Sequence, residues 1–600
     1  MQKNNKYEWD LDYLLNNKSF DYLFNAWVNK QKQVLNLYPN FYKNINNFKQ
    51  WIKVNDELEI IENRLSNYVS NNLNTDLINT KWLGLSQKIN MIDNQISSQM
   101  SDYTNIVIKN KKLIQSYLKD KSLKKYQIGF DRILRFEPHI LEPNVEKSLA
   151  KISLANGGVA HVFSTLTDSD LKFKPAADKN GKLNKIITTS DVTKYLKSDD
   201  RVLRKNTWIN FNLAYDEIAN TLTQTLYYTY LRYNSSAKLR GFKDYVSASA
   251  FADEIDKSFI LNIYKNVESF KSIYSTYKNK IENLLKKQLK INKLEPWDRS
   301  MDLTSKPIKV TIEQTQKIVL DALSPLGKEY LSHIKTAFNE RWISWLPKKN
   351  KLTGAYSIGG IKGLDKFYIL MNFDGTMGSV ETITHELGHS MNSYYSCKAQ
   401  DVYVDTRIFY AEIASITTET LLILYLLNKY KNDKTMTNFY LKRLLDNFFA
   451  STTRQIEFSN FEYEANKMIN NMQPFATDTI KNLFLQMLKK YENLSDVKLS
   501  EFKKEPYKYY LSTILRIPHF YAGNFYVYKY AIGQICGLIV AYKIYHGDKD
   551  MLNKFIKFLS SGSSLSPLDT IKILGIDLNT KKPYDDVKQI IKQLLGKFKF

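Results

Sequence analysis

His385, Glu386 and His389, in the stretch Glu381-Thr-Ile-Thr-His-Glu-Leu-Gly-His-Ser390, set two imidazoles four residues apart with a carboxylate beside the first. On a helix of about 3.6 residues per turn the histidines lie one above the other, so both can ligate one zinc ion while Glu386 faces its open coordination position. Such a site hydrolyses peptides by activating water: the zinc makes the water acidic, and Glu386 takes its proton and passes it to the leaving amine. With seven histidines and 61 acids in 600 residues, chance gives this pattern about 0.01 times per chain. The competing reading, two histidines lining an ordinary buried helix, has to explain why two of so few fall at ligand spacing.

The chemistry needs a helix through the motif. Asp374, Gly375, Thr376, Gly378 and Ser379 form a turn-rich cluster, Glu381 puts an acid in the expected first turn, and Ile383, Leu387 and Met391 supply apolar positions four apart. A catalytic zinc site also needs a third protein ligand. Glu412 is the best candidate: it sits in the apolar stretch from Ile408 to Leu427, where an unpaired carboxylate is costly and a zinc ion removes the cost. Glu419, two turns further along the same face, suits a carboxylate that accepts a hydrogen bond from the far nitrogen of a ligating histidine. Pairing with lysines is the alternative for both acids.

His519, Tyr526 and Tyr530 share one helical face if a helix starts at or before His519. Peptide hydrolysis generates an oxyanion, and a neutral imidazole or phenol aimed at it stabilises the transition state. Among 41 tyrosines, packing is the competing reading. Upstream, Gly354-Ala-Tyr-Ser357 and Tyr368-Ile-Leu-Met-Asn-Phe373 read as short strands. An extended substrate can add a strand to such an edge through the backbone of Gly354, Ala355 and Tyr356, although a small sheet merely beside the site fits the same pattern.

Taken together, His385-Glu-Leu-Gly-His-Ser390, Ser393-Tyr-Tyr-Ser396 and Tyr410-Ala-Glu-Ile-Ala-Ser415 resemble the thimet-oligopeptidase-like zinc metallopeptidases and, in detail, oligopeptidase F. The strand segments above, Arg454-Gln455 with Phe458 and Phe461-Glu462, Pro518-His-Phe-Tyr521 through Tyr526-Val-Tyr-Lys-Tyr-Ala531, and the opening Trp9-Asp-Leu-Asp-Tyr-Leu14 are similar too. The resemblance spans nearly the whole chain and is most specific from 350 to 535. It implies that His385, His389 and Glu412 ligate one zinc, that Glu386 is the general base, and that Glu419 supports a ligand from behind. It also implies that His519, Tyr526 and Tyr530 lie in the segment supplying transition-state donors. Relatives often carry a histidine directly after the position of Met391, where this chain has Asn392. Gly523 can shift the tyrosines by a turn. The resemblance further implies an amino-terminal helical region, a small intermediate domain and a catalytic domain around a deep channel that admits short unfolded peptides and excludes folded proteins.

Positioning these groups falls to helices. Six hundred residues exceed what one core usually supports, so at least two lobes are expected. Only 13 prolines and 21 glycines are spread along the chain and no linker stands out, which favours lobes on a continuous framework. Segments such as Phe20 to Leu37, Leu58 to Tyr68, Phe259 to Leu289 and Met436 to Phe449 carry helical periodicity. The expected fold is mainly α: a two-lobed helical metallopeptidase with a small β-sheet beside the motif helix. The charged Lys109-Asn-Lys-Lys112 and the turn-forming Asp178-Lys-Asn-Gly181 suggest regions 1–110, 111–195 and 196–600.

Two cysteines, Cys397 and Cys536, are too few for a disulfide framework and point to a reducing compartment. The first twenty residues lack a signal peptide's apolar stretch. The most apolar run, Ala531 to Tyr542, is shorter than the about 18 residues a membrane span needs. A cytoplasmic protein with short peptides as partners, and neither membrane nor nucleic acid, is expected. The net charge of +25 arises from lysines scattered among asparagines and tyrosines, as a biased coding sequence produces, and no phosphate loop is present. The alternatives are an exopeptidase with the same zinc site and a basic nucleic-acid-binding protein whose metal motif is not catalytic.

Overall fold

Caps and apolar stripes set the helices. Helix Phe20–Leu37 begins where Ser19 accepts a hydrogen bond from the Tyr22 amide at 3.1 Å, and it buries Leu23, Trp27 and Val34 along one stripe. Asn44 caps Ile45–Thr75 in the same way through the Asn47 amide at 2.9 Å. The segment from Phe259 to Leu289 is divided into Lys257–Glu268 and Lys271–Leu289. The Ser269 hydroxyl turns back to the Asn266 carbonyl at 2.6 Å and Phe270 is fully buried, so the chain bends to seat that ring.

The computed structural model describes residues 6–146, 148–149, 158–303, 308–494, 496–523 and 525–599. It is 69% helical with only small sheets, the mainly α fold its periodicity implies. The chain forms two compact units. One comprises 1–150, 308–422 and 540–575, and the other 151–307, 423–539 and 576–600. Among the described residues no helix is long and apolar enough to cross a membrane.

The first unit carries an aromatic core around Trp27, Phe41, Phe48 and Trp51, in which Phe41 stacks on Trp51 at 4.9 Å. It also holds three two-residue strands, β3 (Ile343–Ser344), β4 (Tyr356–Ser357) and β5 (Ile369–Leu370), following a hairpin of β1 (Ala176–Ala177) and β2 (Leu183–Asn184) in the second unit. The order is β3-β5-β4. The β3 strand runs parallel to β5 with Ile343 opposite Ile369, and β4 runs antiparallel with Tyr356 opposite Leu370. The β4 strand is therefore an edge.

The second unit packs helices Ala219–Leu239 and Thr453–Asn470 through a buried amide network. Asn234 donates to Asn466 at 2.7 Å and accepts from Asn470 at 2.8 Å and from the Tyr245 amide at 3.0 Å. The hydrogen bonds gathered on Asn234 fix the rotation of one helix against the other.

Candidate metal centre

Helix Met377–Ala399 carries the motif. Asp374 accepts from the Thr376 amide at 2.9 Å and the Ser379 hydroxyl at 2.7 Å, and Thr376 accepts from the Ser379 amide. These side chains satisfy the first turn, so the helix starts ahead of Glu381 and that acid lies beyond the turn in which its charge was expected. Gly378 and Ser379 are helical for the same reason.

A second helix, Glu412–Lys429, crosses the first at Gly388. A Cβ on Gly388 would lie 2.6 Å from the Ser415 Cα and 2.9 Å from the Ala414 carbonyl oxygen, so only glycine permits this approach. The Thr418 hydroxyl donates to the Thr384 carbonyl at 2.9 Å, tying the crossing one residue before His385. Glu412, first residue of its helix, is thereby carried to the histidines.

The Nε2 atoms of His385 and His389 lie 3.4 Å and 3.6 Å from the same Glu412 oxygen, and the three donor atoms fall within 4.8 Å of one another. Ligands at roughly 2.0–2.1 Å around a tetrahedral ion are separated by about 3.4 Å, so the residues fit a zinc-sized cation in position and in kind. Glu419 approaches His385 from the other side, at 3.2 Å from Nδ1, leaving Nε2 for the cation. The Ser415 hydroxyl donates to the Glu412 carboxylate at 3.0 Å.

Electrostatics separate the members. Burial pulls His385 down, but Glu412 and Glu419 outweigh it and lift the ring to about 10. Burial, with the neighbouring His385, takes His389 down to about 4. Burial works against ionised Glu412, yet His385, His389 and Ser415 hold it at about 2. Burial also lifts Glu386 to about 7, with Glu412 adding to the rise and His385 and the Ser357 amide opposing it.

Glu386 lies beside the sheet, since the backbone amide of Ser357, on β4, is among the groups that hold its carboxyl down. The Ser357 hydroxyl meets Ser390 at 3.1 Å, and Ser390 donates to the Phe367 carbonyl at 2.9 Å, pinning edge strand and motif helix together. Tyr356 is an anchor: its hydroxyl donates to Asn71 and accepts from Asn74, both at 2.8 Å. Gly354, at φ +83°, and Ala355 lead into β4, and the Gly354 carbonyl accepts from Asn372 at 2.9 Å.

In the second unit His519 and Tyr530 meet at 3.3 Å between Nε2 and the hydroxyl, and the Tyr526 ring lies parallel to the imidazole at 5.9 Å. Burial lowers His519, which favours neutral imidazole. The single helical face expected for these three residues is not what assembles them. His519–Ala522 is one short helix and Tyr528–Tyr545 another, with Gly523 at φ +90° and Phe525 at φ +46° between, so a bend brings the groups together. Asn392, where a histidine was the comparison, donates to the Leu559 carbonyl at 3.2 Å and is structural.

Sequence reasoning passed over Gly388, Ser357, Ser390, Ser415 and Thr418. The signal for Gly388 was there: a glycine inside a helix forgoes about 1 kcal/mol relative to alanine and calls for a packing reason, and Ala414-Ser415 supplies the small surface it meets. The Ser357 amide had none, since a backbone donor leaves no mark on residue type.

Comparison with known proteins identifies the family. The profile of Peptidase family M3 matches residues 194–590, and that of Oligopeptidase F matches residues 109–173. An oligoendopeptidase F homolog of Mycoplasma pneumoniae is 38% identical over 594 residues, covering 98% of this chain and 97% of that protein. Oligopeptidase PepF of Bacillus subtilis is 31% identical over 490 residues, covering 81% and 71%. Among solved structures, oligoendopeptidase-F of Enterococcus faecium superimposes with a TM-score of 0.71 at 21% identity over 96% of this chain and 98% of that one, a likeness of fold.

Proposed function

We propose, from the premise that this chain belongs to peptidase family M3 and is a metalloendopeptidase, that it cleaves short unfolded peptides at a zinc ion held by His385, His389 and Glu412. The observation that carries the reading is the convergence of both Nε2 atoms on one Glu412 oxygen, with Glu419 behind His385. Zinc, when bound there, supplies a Lewis acid that makes water acidic enough to attack near neutral pH. Glu386 takes the proton of the attacking water and gives it to the leaving amine. His519, Tyr526 and Tyr530 donate to the oxygen on which charge develops.

The substrate lies extended along β4, drawing affinity from the backbone of Gly354, Ala355 and Tyr356, with little side-chain selectivity. Support comes from the edge position of that strand in its sheet and from the Ser357 amide beside Glu386. Regions 1–110, 111–195 and 196–600 serve as helical, intermediate and catalytic parts; the start of one matched profile at 109 supports the first boundary, and the gap between 173 and 194 supports the second. The free thiols Cys397 and Cys536 suit a cytoplasmic setting.

An internally quenched peptide blocked at both termini tests the reading. Internal cleavage that disappears with chelator and in Glu386→Gln is expected. An intact blocked peptide beside a digested unblocked one would make the enzyme an exopeptidase.

A further inference from the structure

A cavity of about 330 Å³ lies inside the second unit, walled by helices Lys271–Leu289, Lys434–Ser451 and Thr453–Asn470 and by Glu492 and Tyr510. It shares no residue with the metal cluster or with His519, Tyr526 and Tyr530. Its size falls at the lower end of the roughly 300–1,000 Å³ that small-molecule sites occupy.

The polar lining is incomplete. Glu457 is 3% exposed, yet among the described residues nothing donates a hydrogen bond to its carboxyl. The hydroxyls of Tyr274 and Tyr510 lie within electrostatic reach of that carboxyl and are likewise without partners among the described residues. Lys278 is already spent on Glu492, bonding its carbonyl at 2.9 Å and its carboxylate at 3.2 Å. Arg454 lies over the Phe458 ring at 5.2 Å, and neither it nor Arg299 has a carboxylate partner among the described residues. Burial pushes Glu457 well above the usual carboxylate range, which Glu492 reinforces and Arg454 and Lys278 resist. A buried acid and two phenols without partners call for a ligand that donates hydrogen bonds and carries positive charge. Two guanidiniums lining the same space call for negative charge. A metal ion would find a single uncommitted carboxylate, and a bare anion would face Glu457 and Glu492.

We propose that this cavity binds a small zwitterion, a dipeptide of small residues, with its ammonium on Glu457, Tyr274 and Tyr510 and its carboxylate on Arg454 and Arg299. The argument rests on the cavity's own residues and stands apart from the peptidase reading.

Titration calorimetry of the full chain with dialanine, N-acetyl-dialanine, dialanine amide and alanine tests it. Dialanine should bind once per chain. Blocking either terminus, or making Glu457→Gln or Arg454→Gln, should weaken binding about tenfold or more, as loss of a charge-assisted contact does. Tyr274→Phe, which keeps the ring, should weaken it less and serves if Glu457→Gln does not fold. Alanine binding as tightly as dialanine would overturn the dipeptide assignment. Absence of any binding heat would leave the cavity to water and overturn the proposal. Binding unchanged in Glu457→Gln and Arg454→Gln but lost in His389→Ala would assign the dipeptide to the metal centre and overturn it as well.

Discussion

Two glutamates, the half-buried Glu412 in the first unit and the buried Glu457 in the second, meet opposite fates. Glu412 is held ionised at about 2 although burial opposes it, because two imidazoles and the Ser415 hydroxyl address its carboxylate. Glu457 is driven well above its ordinary range by desolvation, reinforced by Glu492, and among the described residues nothing donates to it. Desolvation is common to both, so the donors decide the charge. In the first unit they are supplied by a helix crossing that brings three side chains to one point; in the second the space beside the carboxyl is a cavity.

The sharpest break of this contrast is Glu412→Ala. It leaves two imidazoles and no carboxylate ligand, and metal content per chain measured on the purified, folded variant should fall to background together with peptidase activity. A variant that kept its metal and its rate would show that Glu412 is not a ligand. Glu386→Gln should keep the metal and lower kcat by about 10²–10⁴-fold, the usual worth of a positioned base. Unchanged kcat there would move the base elsewhere.

Smaller effects test how the first unit delivers its donors. Glu419→Gln removes the negative charge behind His385 and should weaken metal affinity about 10–100-fold, read by competition with a chelator. Gly388→Ala forces a methyl to 2.6 Å from the Ser415 Cα and should cost about 1–3 kcal/mol in denaturant unfolding, with activity lost because Glu412 moves with its helix. A silent Gly388→Ala would mean that the crossing does not position the ligand.

What could be read in the sequence divides along the same line. His385, Glu386 and His389 were legible because helical spacing alone makes them neighbours, and Glu412 because an acid in an apolar run needs a reason. Helix Phe20–Leu37 was legible from its apolar periodicity. The bend at Gly523 that gathers His519, Tyr526 and Tyr530 was not, since periodicity describes a continuous helix and a positive φ interrupts it. Glu457 was passed over for a related reason: its neighbours in space, Tyr274 and Tyr510, come from distant segments, and no local pattern records a hydrogen bond that is missing.

The contrast has a consequence in pH. An acid whose folded-state pKa lies above its unfolded value binds more protons when folded, so stability falls as pH rises from the ordinary 4.5 through the folded value. Glu457→Gln abolishes that loss, while Glu492, Arg454 and Lys278 are unchanged and cancel in the comparison. Unfolding by denaturant at about pH 4 and about pH 8, without added peptide, should therefore show the unaltered chain losing ground to the variant as pH rises. Dialanine should restore part of that loss at the higher pH, because an ammonium beside Glu457 stabilises the ionised form. A stability difference constant across this range would mean that Glu457 titrates alike folded and unfolded, and that its carboxyl already has the partner Glu412 enjoys.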